Sequence, residues 1–99
     1  MRGQRRTVAS ALAEALTRRP GAEVAALSAA FAEACGPRLA QEVSFRGCLR
    51  DGRLLVLART GAWAREVVRL EREICDLVNR RLGRPAATGL DVRVAEAER

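Results

Sequence analysis

Arginine is the residue type in this chain whose number and spacing could do chemistry. All 18 basic residues are Arg. Arg46, Arg50, Arg53 and Arg59 fall within one short stretch, Arg93 lies near the end, and Arg2, Arg5 and Arg6 lie at the start. A guanidinium stays charged at any working pH and presents a planar fork of donors that matches paired phosphate oxygens. The chemistry on offer is therefore electrostatic recognition of phosphate, and the net charge of +6 favours anionic partners in general. The same inventory argues against catalysis. His, Lys and Tyr are absent, which removes the commonest general bases and the Schiff-base nucleophile. The carboxylates are scattered along helical stretches without forming a pair. No phosphate-cradling or dinucleotide-binding glycine pattern occurs. We expect no enzyme, no catalytic residue and no cofactor.

Cysteine is the other reactive type. Cys35, Cys48 and Cys75 are odd in number and form no C-x-x-C pair, so neither a disulfide framework nor a metal site is expected. Each sits singly in an apolar or regularly patterned segment and reads as a reduced packing residue, which implies a cytoplasmic protein. Cys48 lies among arginines that could lower its pKa, but nothing near it in sequence could serve as its base. No apolar run approaches the roughly 18 residues of a membrane span.

These side chains must be held by elements the pattern specifies. Thr7 can cap a first helix with Val8, Ala11, Leu12, Ala15 and Leu16 on one face, ended by Pro20-Gly21. A second helix is expected from about Ala22 to Cys35, with Val24, Leu27, Phe31 and Ala34 as its stripe. Gly36-Pro37 then breaks or kinks it, because a residue before Pro avoids the helical region, and a short continuation follows to about Glu42. Residues 43–50 and 53–59 read as a hairpin across Asp51-Gly52, a two-residue type I′ signal. That loop would place Arg50 opposite Arg53 and Cys48 opposite Leu55. One face would then carry Val43, Phe45, Leu49, Leu54, Val56 and Ala58 as core. The other would carry Arg46, Arg50, Arg53 and Arg59, with Cys48, Leu55 and Leu57 between them.

A third helix carries Trp63, Val67, Leu70, Ile74, Leu77 and Val78 at helical spacing and stops at Gly83. Its charges suggest i,i+4 pairs of Arg69 with Glu73, Arg72 with Asp76, and Asp76 with Arg80. A final strand, residues 90–95, alternates Leu90, Val92 and Val94 against Asp91 and Arg93. The order is α-α-β-β-α-β. This predicts an α+β, two-layer domain with a three-stranded sheet, one face covered by helices and the other open. Residues 1–6 read as a basic arm, 7–95 as a single domain and 96–99 as a short tail.

Several of these residues also carry a family resemblance. The helix end Phe31-Ala-Glu-Ala-Cys-Gly36 with Leu39-Ala40, the hairpin with Gly near its tip, Thr60-Gly-Ala-Trp63-Ala opening an amphipathic helix, and Leu82-Gly83 before a last strand resemble the bacterial domain family that includes the DciA-type replicative helicase loaders. The resemblance spans roughly residues 7–95. It implies a KH-like fold of the αββαβ kind and association with DNA and the replicative helicase. No G-x-x-G clamp is present, so the backbone-gripping mode of RNA-binding KH domains is not expected.

The leading expectation is a non-enzymatic nucleic-acid-binding accessory module. Arg46, Arg50, Arg53, Arg59 and Arg93, joined by Arg2, Arg5 and Arg6, would contact DNA phosphates with little sequence readout. Phe31, Phe45 and Trp63 are the three aromatic residues and are all assigned to core, so base stacking is not expected. The alternative is a protein-interaction module using an exposed Leu55/Leu57 patch among the arginines, docking a helicase subunit or a second copy of the chain without touching nucleic acid; the other reading of the same two leucines is that the N-terminal helix folds over that face and buries both.

Overall fold

The computed structural model describes residues 21–95. The expected first helix, the basic arm and the short tail lie outside the described residues. From Gly21 on, the elements are α1 (Gly21–Ala40), β1 (Val43–Cys48), β2 (Arg53–Ala58), α2 (Gly61–Arg69), α3 (Glu71–Leu82) and β3 (Gly89–Val94). The sheet order is β1-β2-β3. β1 runs antiparallel and β3 parallel to the central β2. This is the expected α+β architecture, and the order after residue 20 is the expected α-β-β-α-β, with its crossover helix in two pieces.

Helix α1 bends where expected. Gly36 leaves the helical region (φ 83°, ψ 162°) and Pro37 restarts the chain in a last turn. A residue before Pro is pushed out of the helical basin, and Gly alone takes positive φ without steric cost. Leu27, Ala30, Phe31 and Leu39 are buried, whereas Val24 from the expected stripe is exposed.

The hairpin differs from expectation in register. Leu49 N–H donates to the Arg53 carbonyl (2.8 Å) and Gly52 N–H donates to the Leu49 carbonyl (3.0 Å). The loop is therefore the three residues Arg50, Asp51 and Gly52, with Gly52 at φ 93°. This is a type I turn closed by a left-handed Gly and a bulge. One local bond and two from a distant residue select it over the two-residue turn. The Asp51 Oδ1 accepts the Arg53 backbone N–H at 3.0 Å, an Asx turn. On the far side, Thr88 donates its N–H to the Gly52 carbonyl (3.1 Å) and its hydroxyl to the Asp51 carbonyl (3.1 Å). A second irregularity falls between Phe45 and Gly47, so the register slips twice. Cys48 pairs with Leu54 and joins the core, whereas Leu49 pairs with Arg53 and is buried outside the main core cluster. These two residues exchange the faces expected of them. Val43, Leu54, Val56 and Ala58 line the core as expected, and Phe45 packs against it with its ring 6.3 Å from Phe31.

The third expected helix is two helices. Leu70 sits between them at φ −98°, ψ 11°. Its N–H is shared by the Glu66 carbonyl (3.2 Å) and the Val67 carbonyl (3.0 Å), a tightened last turn. The bend lets the two pieces serve different partners: α2 packs on β2 and β3, and α3 packs on α1 and β3. Val67, Ile74 and Val78 all reach the core, and Gly83 ends α3 in the left-handed conformation. Leu77, expected in the stripe, is exposed. The expected i,i+4 ion pairs do not form among the described residues. Arg69 instead pairs with Glu66 at i,i+3, at 2.6 Å.

Candidate nucleic-acid interface

The helices cover one sheet face, and the arginines lie on the other. Strand alternation fixes this arrangement: Leu54, Val56 and Ala58 go to the core, so Arg53, Leu55 and Leu57 face away from it. Parallel pairing sets Asp91 beside Leu55 and Arg93 beside Leu57. Arg46 occupies the bulge and Arg50 the hairpin tip, both exposed.

The arginines divide into two sets. Arg53 Nε lies 2.8 Å from Asp51 Oδ2, and its Nη1 lies 3.9 Å from Asp91 Oδ2. Arg93 grips Asp91 through Nε (2.8 Å) and Nη2 (3.0 Å), a two-point guanidinium–carboxylate contact. Arg59 reaches Glu42 at 3.7 Å. Among the described residues, Arg46 and Arg50 have no carboxylate within ion-pair distance. Five guanidiniums therefore face three carboxylates, and the face is less basic than its arginine count suggests. The partnering acids escaped the sequence reading although their signal was present. Asp51 and Arg53, and Asp91 and Arg93, stand two apart on extended chain, and residues two apart share a face.

Asp51 and Asp91 are held in their charged form. The Arg53 backbone N–H and then its side chain lower the Asp51 pKa. The Arg93 hydrogen bond, followed by the charges of Arg93 and Arg53, lowers that of Asp91.

Leu55 and Leu57 depart from expectation. Leu55 is only 1% exposed and Leu57 is half-buried, so the expected exposed leucine patch is not present. The reason is position. Leu55 lies mid-sheet on the central strand, with Gly47 on one flank and Asp91 on the other. A signal was available in the uninterrupted run Leu54-Leu55-Val56-Leu57-Ala58, which marks a strand covered on both faces rather than one.

The cysteines behave as packing residues. Cys48 and Cys75 are buried and Cys35 partly so. Burial pushes the Cys35 thiol up to about 12 and, with help from Glu71 and Asp76, that of Cys75 up to about 11. Unfolded thiols ionise near 9.0, so these two groups stay neutral through a window in which the unfolded chain becomes charged. Their contribution to stability is lost as pH rises through that window. At pH 8 we expect alkylation of Cys35 and Cys75 by iodoacetamide to run at least about a hundredfold slower in the native protein than in urea. Mass spectrometry of quenched aliquots measures this directly. Among the described residues, no group of three or more His, Cys, Asp or Glu could hold a metal ion, and no helix is long and apolar enough to cross a membrane.

Such a molecule is a small α+β domain that presents arginines on a sheet. The family described as "Dna[CI] antecedent, DciA" matches residues 6–92, and the chain belongs to that family. Its role is accordingly one associated with loading of the replicative helicase. No curated protein matches the chain.

Proposed function

We propose that this protein is a non-enzymatic accessory module that works beside the replicative helicase in the cytoplasm and holds DNA through phosphate contacts on its arginine-bearing sheet face. The observation that carries the reading is that Arg46 and Arg50, at the bulge and tip of the hairpin, have no carboxylate partner among the described residues, so two guanidinium forks are offered to phosphate. Arg53, Arg59 and Arg93 form a second set whose carboxylate partners can be exchanged for phosphate. Arg2, Arg5 and Arg6, which lie outside the described residues, carry the same sign of charge. Most of these contacts would go to phosphate and few to base edges, so binding should be nearly independent of sequence. A KH-like fold accords with the αββαβ order.

The test is fluorescence anisotropy with labelled single-stranded and duplex DNA at several salt concentrations. About four phosphate contacts give a slope of log affinity against log salt near −3. The Arg46→Ala/Arg50→Ala variant should lose about half of that slope, about 1.5 units. A wild-type slope near zero, or a slope the double variant leaves unchanged, would sink the reading.

A further inference from the structure

We propose that the cleft between the end of α1 and the start of α2 is a docking groove for an acidic peptide segment carrying a bulky apolar side chain. The cleft has a volume of about 520 Å³, within the range of sites that bury one or two large side chains. It lies in the helical layer, across the sheet from Arg53, Arg59 and Arg93, and does not depend on the nucleic-acid reading.

Its lining is apolar where it is deep. Leu39 is buried and forms part of the core, and Trp63 and Leu70 are half-buried and packed against that core. Trp63, expected in the core, is thus a wall of the cleft with part of its indole open to solvent. This is the setting in which aromatic residues anchor interfaces. Cys35 also lines the cleft and is neutral at physiological pH.

Charge complementarity names the occupant. Two ionisable side chains of ordinary charge line the cleft, Arg38 and Glu66. Glu66 is already committed to Arg69, with Nη2–Oε2 at 2.6 Å and Nε–Oε1 at 3.3 Å. Arg38 is exposed and has no carboxylate partner among the described residues. The uncompensated charge of the rim is therefore positive. The start of α2 adds to it, because its first turn contains no acidic residue and Thr60 caps only the Trp63 N–H. An apolar floor with a positive rim suits a segment that inserts Leu, Phe or Trp and surrounds it with Asp and Glu. A nucleic acid fits less well, since the cleft offers little besides Arg38 and Glu66 to read base edges.

Trp63 is the one Trp of the chain and reports on the groove directly. The experiment is selection from a displayed library of random dodecapeptides on the full chain, followed by titration of the enriched peptides against Trp63 emission. Expected are peptides rich in Asp and Glu around a Leu, Phe or Trp, a shift of the emission on binding, and a loss of affinity of about tenfold in Arg38→Glu. Arg50→Glu, on the other side of the sheet, should leave peptide affinity unchanged. Arg38 is exposed, so its reversal is compatible with folding, which an unchanged thermal midpoint verifies. The proposal is overturned if no peptide is enriched or if the enriched ones are basic. It is also overturned if Trp63 emission stays fixed on binding, if Arg38→Glu binds as wild type, or if single-stranded DNA shifts the emission and displaces the peptides.

Discussion

Leu55→Ala should lower the stability of the domain by about 2–5 kcal/mol, a drop in thermal midpoint on the order of 10–30 °C for a chain of this size. The argument rests on where the side chain sits. Leu55 is 1% exposed yet is not part of the cluster that the helices enclose. It is the centre of a second apolar layer on the face of the arginines, next to buried Leu49 and half-buried Leu57. Truncation removes the transfer free energy of the lost carbons and leaves a cavity that a sheet paired on both sides cannot close. Leu57→Ala should cost less, about 1 kcal/mol, because its environment is already partly wet. Thermal unfolding of the two variants side by side checks the pair. Equal small effects would mean that Leu55 is a surface residue after all. The result also bears on function. A packed layer beneath the arginines would hold the hairpin at a fixed twist, so under the proposed DNA-binding function Leu55→Ala should weaken that binding through misplacement of Arg46 and Arg53 without removing a single charge.

The reading from sequence succeeded where a local rule acts alone. Gly36-Pro37 kinks α1 because the constraint lies within two residues, and alternation sends Leu54, Val56 and Ala58 inward because strand period is fixed. It failed where a distant partner decides. Asp51-Gly52 satisfies two turn types, and the bonds from Thr88, far along the chain, hold the three-residue one. That choice moved Cys48 into the core and Leu49 out of it. A helical stripe places Trp63 and Leu77 inward, but the bend at Leu70 turns α2 and α3 toward different partners and leaves both residues partly open. For the interface, the five arginines were placed on the hairpin and last strand from the sequence. The pairing of Arg53, Arg59 and Arg93 with Glu42, Asp51 and Asp91 depends on the pairing of β1, β2 and β3 and on side-chain reach.

The position of β3 was the least legible part, and it supports the second large prediction. Residues 84–88, between α3 and β3, belong to no helix or strand. Asn79 holds this segment: its Oδ1 accepts the Ala87 N–H at 2.7 Å and its Nδ2 donates to the Ala87 carbonyl at 3.0 Å. Ala87 is 5% exposed, so both backbone groups would go unsatisfied without the amide. Asn79→Ala should therefore cost about 2–4 kcal/mol, two hydrogen bonds plus the desolvation of the groups left behind. Asn79→Asp should cost nearly as much. It keeps an acceptor for the N–H but sets a carboxylate oxygen against the Ala87 carbonyl, where only a donor fits. Chemical denaturation measures both variants, and a loss below 0.5 kcal/mol in Asn79→Ala, well under the usual worth of two such bonds, would refute the assignment. Hydrogen exchange should show where the damage travels. The next residues are held by Thr88 on the hairpin tip and by Glu71, whose Oε2 accepts the Leu90 N–H at 2.8 Å. Freed at Ala87, the segment loosens both, and the amides of Thr88 and Leu90, which donate those bonds, should exchange faster than those of β1. The same slackening would release Arg50 at the tip and Asp91 with Arg93 on β3. One amide in the helical layer thereby governs how rigidly the arginines across the sheet are presented.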